Sequence, residues 1–179
     1  MQNHDGCSGC KYVDWDADGA TCRITGRLMG DRGVECTIRK PDSITFTVSG
    51  EPQGKARPRV TRNGTFTPRK TAEYERRVRA AYREQCGDSF LGDSALIVTI
   101  AAHFQPPKSV SRKKRAAMLA GLIQPKRKPD ADNIAKAVCD ALNGIAYRDD
   151  AQITCLIVEK QYSECAHVTV HIESREAIA

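Results

Sequence analysis

The chain has 179 residues, 28% of them charged and 40% hydrophobic, a composition of a globular protein with one good core rather than of a disordered chain. Its net charge of +6 and isoelectric point near 8.9 favour a polyanionic partner. No apolar run reaches membrane-spanning length and no signal peptide opens the sequence, so no membrane contact is expected and the cytoplasm is the expected compartment.

Residues 1 to 42 differ in character from the rest. They hold Cys7, Cys10, Cys22 and Cys36, half of the cysteines, in a glycine-rich segment. The C-x2-C pair opens like a four-cysteine zinc site, but the second half is not such a pair, so the match is partial. His4 is a further ligand candidate. A segment so rich in loops buries little core alone, and structural Zn²⁺ would supply the missing stability. Unligated or redox-active thiols are the other open reading, while the cytosol disfavours disulfides. Asp14, Asp16, Asp18 and Gly19 open like a calcium loop, yet the twelfth position is Thr25 where a Glu is needed.

From Ser43 the pattern becomes that of a folded domain, expected to run over 43–173 with a tail at 174–179. Ile44, Phe46 and Val48 alternate with threonines, which predicts a strand with one buried face. A Gly- and Pro-broken stretch follows, loaded with Lys55, Arg57, Arg59, Arg62, Arg69 and Lys70. Within it Asn63-Gly64 marks a hairpin with Val60-Thr61 and Thr65-Phe66 as arms. Arginines on a proline-set loop suit bidentate phosphate contacts, and a merely solubilising loop is the alternative. Residues 71–86 read as a helix capped by Thr71, with Tyr74, Val78, Ala81 and Tyr82 at helical spacing. ALIVTIAAHF, residues 95–104, is apolar on both faces and predicts a central strand. Its His103, near the strand end, could approach a carboxylate cluster, but a lone histidine there is usually structural or solvated.

After Pro106-Pro107, Ser109 or Ser111 caps a short helix whose first turns carry Arg112, Lys113, Lys114 and Arg115. Cations oppose the dipole there, and a bound phosphate would offset that. Lys126, Arg127 and Lys128 lead directly into Pro129-Asp130. In the helix that follows, Ile134, Ala137, Val138, Ala141 and Ile145 share one side, and Asp132, Lys136 and Asp140 the other. Asp130 or Asp132 is its N-cap and Asn143-Gly144 its exit. Asp149-Asp150 precede a strand over 153–161, apolar on both faces. A last strand over 166–172 turns Val168, Val170 and Ile172 inward and His167 and His171 outward. The order β, hairpin, α, β, α, α, β, β predicts an α/β or α+β domain, a mixed sheet packed by helices.

Asp130, Asp132 and Asp150 are hard oxygen ligands of the kind that hold Mg²⁺, provided the chain folds back to gather them. The residues alone leave a second reading open, a capped and solvated helix followed by an ordinary acidic turn.

The full string is more specific. Asp130-Ala131-Asp132-Asn133, Lys136, Asp140-Ala141-Leu142 and Asp149-Asp150-Ala151-Gln152-Ile153 together resemble the RusA family of Holliday-junction resolvases. That resemblance implies a small homodimeric endonuclease of bacteria and prophages. It implies Mg²⁺, with Mn²⁺ as substitute, bound by catalytic Asp130, Asp132 and Asp150, with Lys136 in support. It also favours DNA contact by Lys55, Arg57, Arg59, Arg69, Lys126, Arg127 and Lys128, as phosphate contacts that position without reading sequence. The expected reaction is metal-assisted phosphodiester hydrolysis on branched DNA, in recombination and repair. The alternatives are a non-catalytic DNA-binding or scaffold protein on the same fold, and a nuclease of flaps or other branched forms.

Overall fold

The computed structural model describes residues 13–16, 19–22, 43–57, 59–61, 64–92 and 94–175. The zinc expectation on Cys7, Cys10 and Cys36, with His4 as spare ligand, lies outside the described residues, as do Arg62 and the side chains of Cys22 and Arg59. The loop-rich expectation for the N-terminal segment is corrected in one place. Val13–Asp16 (β1) pairs antiparallel with Gly19–Cys22 (β2), Asp16 opposite Gly19. The alternation Val13-Asp14-Trp15-Asp16 is a period-two signal. It puts Asp14 and Asp16 on a strand, not in a calcium loop.

Ser43–Ser49 (β3) keeps the alternation of its sequence, with Ile44, Phe46 and Val48 buried. The Arg59–Thr61 (β4) and Gly64–Phe66 (β5) hairpin follows, then the long helix Arg69–Cys86 (α1). Ala95–Phe104 (β6), the short helix Arg112–Leu119 (α2), Ala131–Leu142 (α3), Ile153–Tyr162 (β7) and His167–Arg175 (β8) complete the expected order. Four strands form one mixed sheet in the order β3-β8-β6-β7, with only β6 and β7 parallel. The parallel pair needs a crossover, and α2 and α3 lie in it. The fold is α+β.

Phe46, Val170, Ile100 and Val158 form one row across the sheet. Tyr74, Val78 and Tyr82 of α1 and Ile134, Ala137, Val138 and Ala141 of α3 join the same core. Each large apolar side chain so buried contributes roughly 1.5–3 kcal/mol. Phe46 meets Tyr82 edge-on at 5.3 Å. The opposite face of the sheet carries half-buried His103, His167, Thr169 and His171. No helix among the described residues is long and apolar enough to cross a membrane.

Several boundaries move. The helix α1 starts at Arg69, with Pro68 at the N-cap position, so Thr71 is not the cap. Thr71 is buried instead, and its Oγ1 accepts a bond from the Ala56 amide at 3.3 Å. Ser111, not Ser109, caps α2 through the Lys114 amide. Strand β8 runs to Arg175, so Ser174 and Arg175 belong to the sheet rather than to a tail. Strand β7, apolar on both faces in sequence, is an edge strand that leaves Leu156 and Ile157 47% and 43% exposed. Periodicity cannot tell an apolar edge strand from a central one.

Candidate active site

The N-terminus of α3 is the pivot of the site. Asp130 has extended backbone angles at the N-cap position, and its carbonyl accepts the Ile134 amide at 3.1 Å. Its carboxylate makes no capping bond and stays exposed. Asp132 lies in the first turn, where the helix dipole favours a negative charge. Lys136 stands one turn on, exposed like Asp132.

The basic run reaches Asp130 along a fixed path through a cis Lys128–Pro129 peptide. Lys160 of β7 donates to the Arg127 carbonyl and, at 3.0 Å, to that of Pro129. The Arg127 guanidinium lies 4.8 Å from the Phe104 ring centroid and donates to Glu51 at 2.9 Å. Opposite runs the loop 51–57. Gly54 sits so near α3 that a Cβ on it would stand 2.8 Å from Pro129 Cβ and 3.0 Å from Asn133 Cβ. The next amide, of Lys55, donates to the Asn133 carbonyl at 2.8 Å. Between loop and basic run opens a groove of about 720 Å³, lined by Arg57, Phe104, Arg127, Lys128, Asp130 and Asn133 among others.

Asp150 opens a single 3₁₀ turn before β7. The Asp149 carboxylate caps that turn by accepting the Ala151 amide at 2.8 Å. Gln152 accepts the amides of Arg148 and Asp149 and donates to the carbonyls of Gly92 and Ser94. The turn is thus tied down on both sides, and the Asp150 carboxylate is left exposed.

The sequence-derived residues divide accordingly. Arg57, Arg127, Lys128 and Asp130 line one groove. Lys126 is exposed beside it in the chain. Arg69 is 91% exposed at the start of α1, paired with Glu73 at 2.6 Å. Lys55 is bound by Glu75 and by Asp140, the latter at 2.9 Å. The three aspartates do not form a ready-made cage: among the described residues no three His, Cys, Asp or Glu side chains can hold one ion together. Burial pushes the Cys139 thiol up to about 11, and the charges of Asp150 and Asp140 add to that.

Residues 49–173 match the model of the endodeoxyribonuclease RusA family. The chain belongs to the RusA endodeoxyribonuclease family. It is also similar to YqaN, an uncharacterized protein of Bacillus subtilis (strain 168), at 38% identity over 141 residues, 76% of this chain and 99% of that protein. The RusA-family stretch begins in β3 and ends in β8, so it takes in α1, α2, α3 and the groove.

The donor chemistry of this RusA-family chain fits a hard divalent cation. Asp130, Asp132 and Asp150 offer carboxylate oxygens with no cationic partner among the described residues. Mg²⁺ keeps several waters and is usually held by one or two carboxylates plus substrate phosphate, so a closed cage of three is not required. Sequence reasoning missed the residues that hold this geometry: Gly54, Glu75, Lys160 and the stapling role of Gln152. Gln152 was part of the recognised motif. The others had no local signal, because their partners lie far away in the chain.

Proposed function

We propose that this chain is a Mg²⁺-dependent endodeoxyribonuclease, with Mn²⁺ as substitute, that cuts four-way junctions or related branched DNA in recombination and repair. One observation carries the reading: cationic Arg57, Arg127 and Lys128 share a groove with the exposed carboxylate of Asp130, at the end of the helix that bears Asp132 and Lys136. Cations beside carboxylates suit a strand of phosphates better than any apolar ligand. Among Asp130, Asp132 and Asp150, a bound Mg²⁺ supplies Lewis-acid polarisation of the scissile phosphate and a more acidic water.

The protein's own residues do the rest. Arg57, Arg59, Arg69 and the run Lys126 to Lys128 hold the backbone without reading bases. Lys136, sharing a helix face with Asp132, offsets negative charge on the phosphate as the bond to the leaving oxygen breaks. Asp149 and Gln152 fix the turn that presents Asp150. A four-way junction has two symmetry-related scissile strands, which suits a C2 homodimer with one site per subunit. The apolar edge of β7 supports that arrangement, because exposed Leu156 and Ile157 would gain from cover.

Asp132→Asn tests the reading against a non-catalytic DNA-binding protein. Asp132 is exposed, and among the described residues its one side-chain bond, from Asn133, is long at 3.4 Å. The fold should therefore persist. Outer-sphere changes at metal sites cost about 10–100-fold, so loss of a direct ligand is expected to slow cleavage by at least about 100-fold. Junction binding in Ca²⁺ is expected to stay within about twofold and to weaken steeply with salt. Unimpaired cutting of a synthetic junction by this variant refutes the role of Asp132. Equal cutting of linear duplex, flap and junction refutes branched DNA as the preferred substrate.

A further inference from the structure

Lys55 lies on the loop that walls the groove, yet two carboxylates bind its ammonium. Glu75 of α1 accepts from it on one side and Asp140 of α3 at 2.9 Å on the other. All three side chains are largely covered, at 20%, 13% and 25% exposure. Burial alone would lower the Lys55 pKa, but the bonds to Glu75 and Asp140 outweigh it and raise the value. The ammonium is therefore charged and committed. Arg79 completes the set, lying 3.8 Å from Glu75 and donating to the Ala141 carbonyl at 3.1 Å.

The placement is that of a two-point clamp. The Lys55 backbone is fixed at Asn133, in the first turn of α3. Its side chain is fixed at Asp140, seven residues further along. That is about 10 Å of helix axis between anchors. With one anchor the loop could pivot about Asn133. With two, its height and direction over α3 are set together. Asp140 is also the residue that an i,i+4 pair with Lys136 would use, and Lys55 occupies it. Lys136 has no ion pair among the described residues.

We propose that Lys55, gripped by Glu75 and Asp140, is a positioning residue that locks the phosphate-binding loop to the carboxylate-bearing helix and is not itself a phosphate contact. Its catalytic consequence rests on the endonuclease reading, but the clamp does not. A misplacement of about 1 Å at a reacting centre can cost 100-fold in rate.

The test uses the full chain with Lys55→Met, Asp140→Asn and Lys55→Arg. In free protein, amide hydrogen exchange at Lys55 and Ala56 is expected to quicken in Lys55→Met and Asp140→Asn and to recover partly in Lys55→Arg. On a synthetic four-way junction, kcat in Mg²⁺ is expected to fall at least about tenfold in the first two variants. The Kd in Ca²⁺ should stay within about twofold, with an unchanged slope of log K against log salt. A salt slope reduced by about one, with weaker binding, would make Lys55 a phosphate contact and overturn the proposal. Unchanged loop exchange overturns it as well. If the wild-type chain cuts no DNA, the endonuclease reading fails, while the exchange measurement still decides the clamp.

Discussion

Gly54→Ala is the smallest change that should separate the loop from the helix. The added Cβ would stand 2.8 Å from Pro129 Cβ and 3.0 Å from Asn133 Cβ. Carbon atoms pack best at about 3.5–4.0 Å, so the overlap is close to 1 Å on the rigid proline side. Neither neighbour is the free end of a flexible chain. The loop must back away, and a shift of that size takes the 2.8 Å bond from the Lys55 amide to Asn133 beyond hydrogen-bonding distance. Overpacking of this kind costs about 1–3 kcal/mol. For a chain of this size that corresponds to a lowering of Tm by roughly 2–12 °C. Gly144→Ala is the control. Its Cβ would meet nothing, but its φ of +69° strains any side chain by about 1–2 kcal/mol. Both variants should lower Tm, and only Gly54→Ala should speed exchange of the Lys55 amide and slow junction cleavage. If Gly54→Ala leaves exchange and cleavage at wild-type values, close packing of loop on helix does not hold the groove.

Two further expectations concern side chains outside the chemistry. The imidazoles of His103 and His167 stack at 4.1 Å, and burial together with the charge of His167 holds the His103 pKa below its ordinary 6.5. The unfolded chain thus takes up the proton first as pH falls, so this contribution is intact above about pH 6.5 and lost as pH drops toward the folded pKa; His103→Asn should flatten the decline, and an unaltered pH profile of urea stability refutes the assignment. Lys160→Met removes the donor to the Arg127 and Pro129 carbonyls and is expected to cost about 1–2 kcal/mol and to slow cleavage; equal stability and activity would show that the basic run holds its own path.

Much of the fold was legible because its signals are local. Ile44, Phe46 and Val48 alternate in sequence and are buried in the structure, and Val168, Val170 and Ile172 do the same. The polar and apolar sides of α3 were also readable: Ile134, Ala137, Val138 and Ala141 share one side in sequence and are buried, and Asp132, Lys136 and Asp140 share the other. What failed was context. Sequence reading offered the Lys55 charge to DNA without sight of Glu75 and Asp140, the ion-pair partners that lie 20 and 85 residues further along. Thr71 looked like a cap because threonine before a helical run usually is one. Here Pro68 starts the helix earlier, and the Thr71 hydroxyl faces the Ala56 amide. Strand β7 reads as apolar on both faces, a pattern that does not tell an edge strand, paired on one side only, from a central one.

The separation of the aspartates follows from the same physics that would bring them to a metal. Carboxylates crowded together without a cation repel, and one of them must take up a proton or the segment must move apart. Here Asp130 and Asp132 stand at the N-terminus of α3, where the dipole favours negative charge, and Asp150 opens a separate stapled turn before β7. Under the endonuclease reading, the phosphate of the bound strand completes what Mg²⁺ requires, and the cations of the groove decide where that phosphate lies. Under that reading, catalysis depends less on how close the carboxylates are to one another than on how rigidly the loop 51–57 and the run 126–129 would hold the bound strand. Gly54 and Lys160 fix those two segments directly.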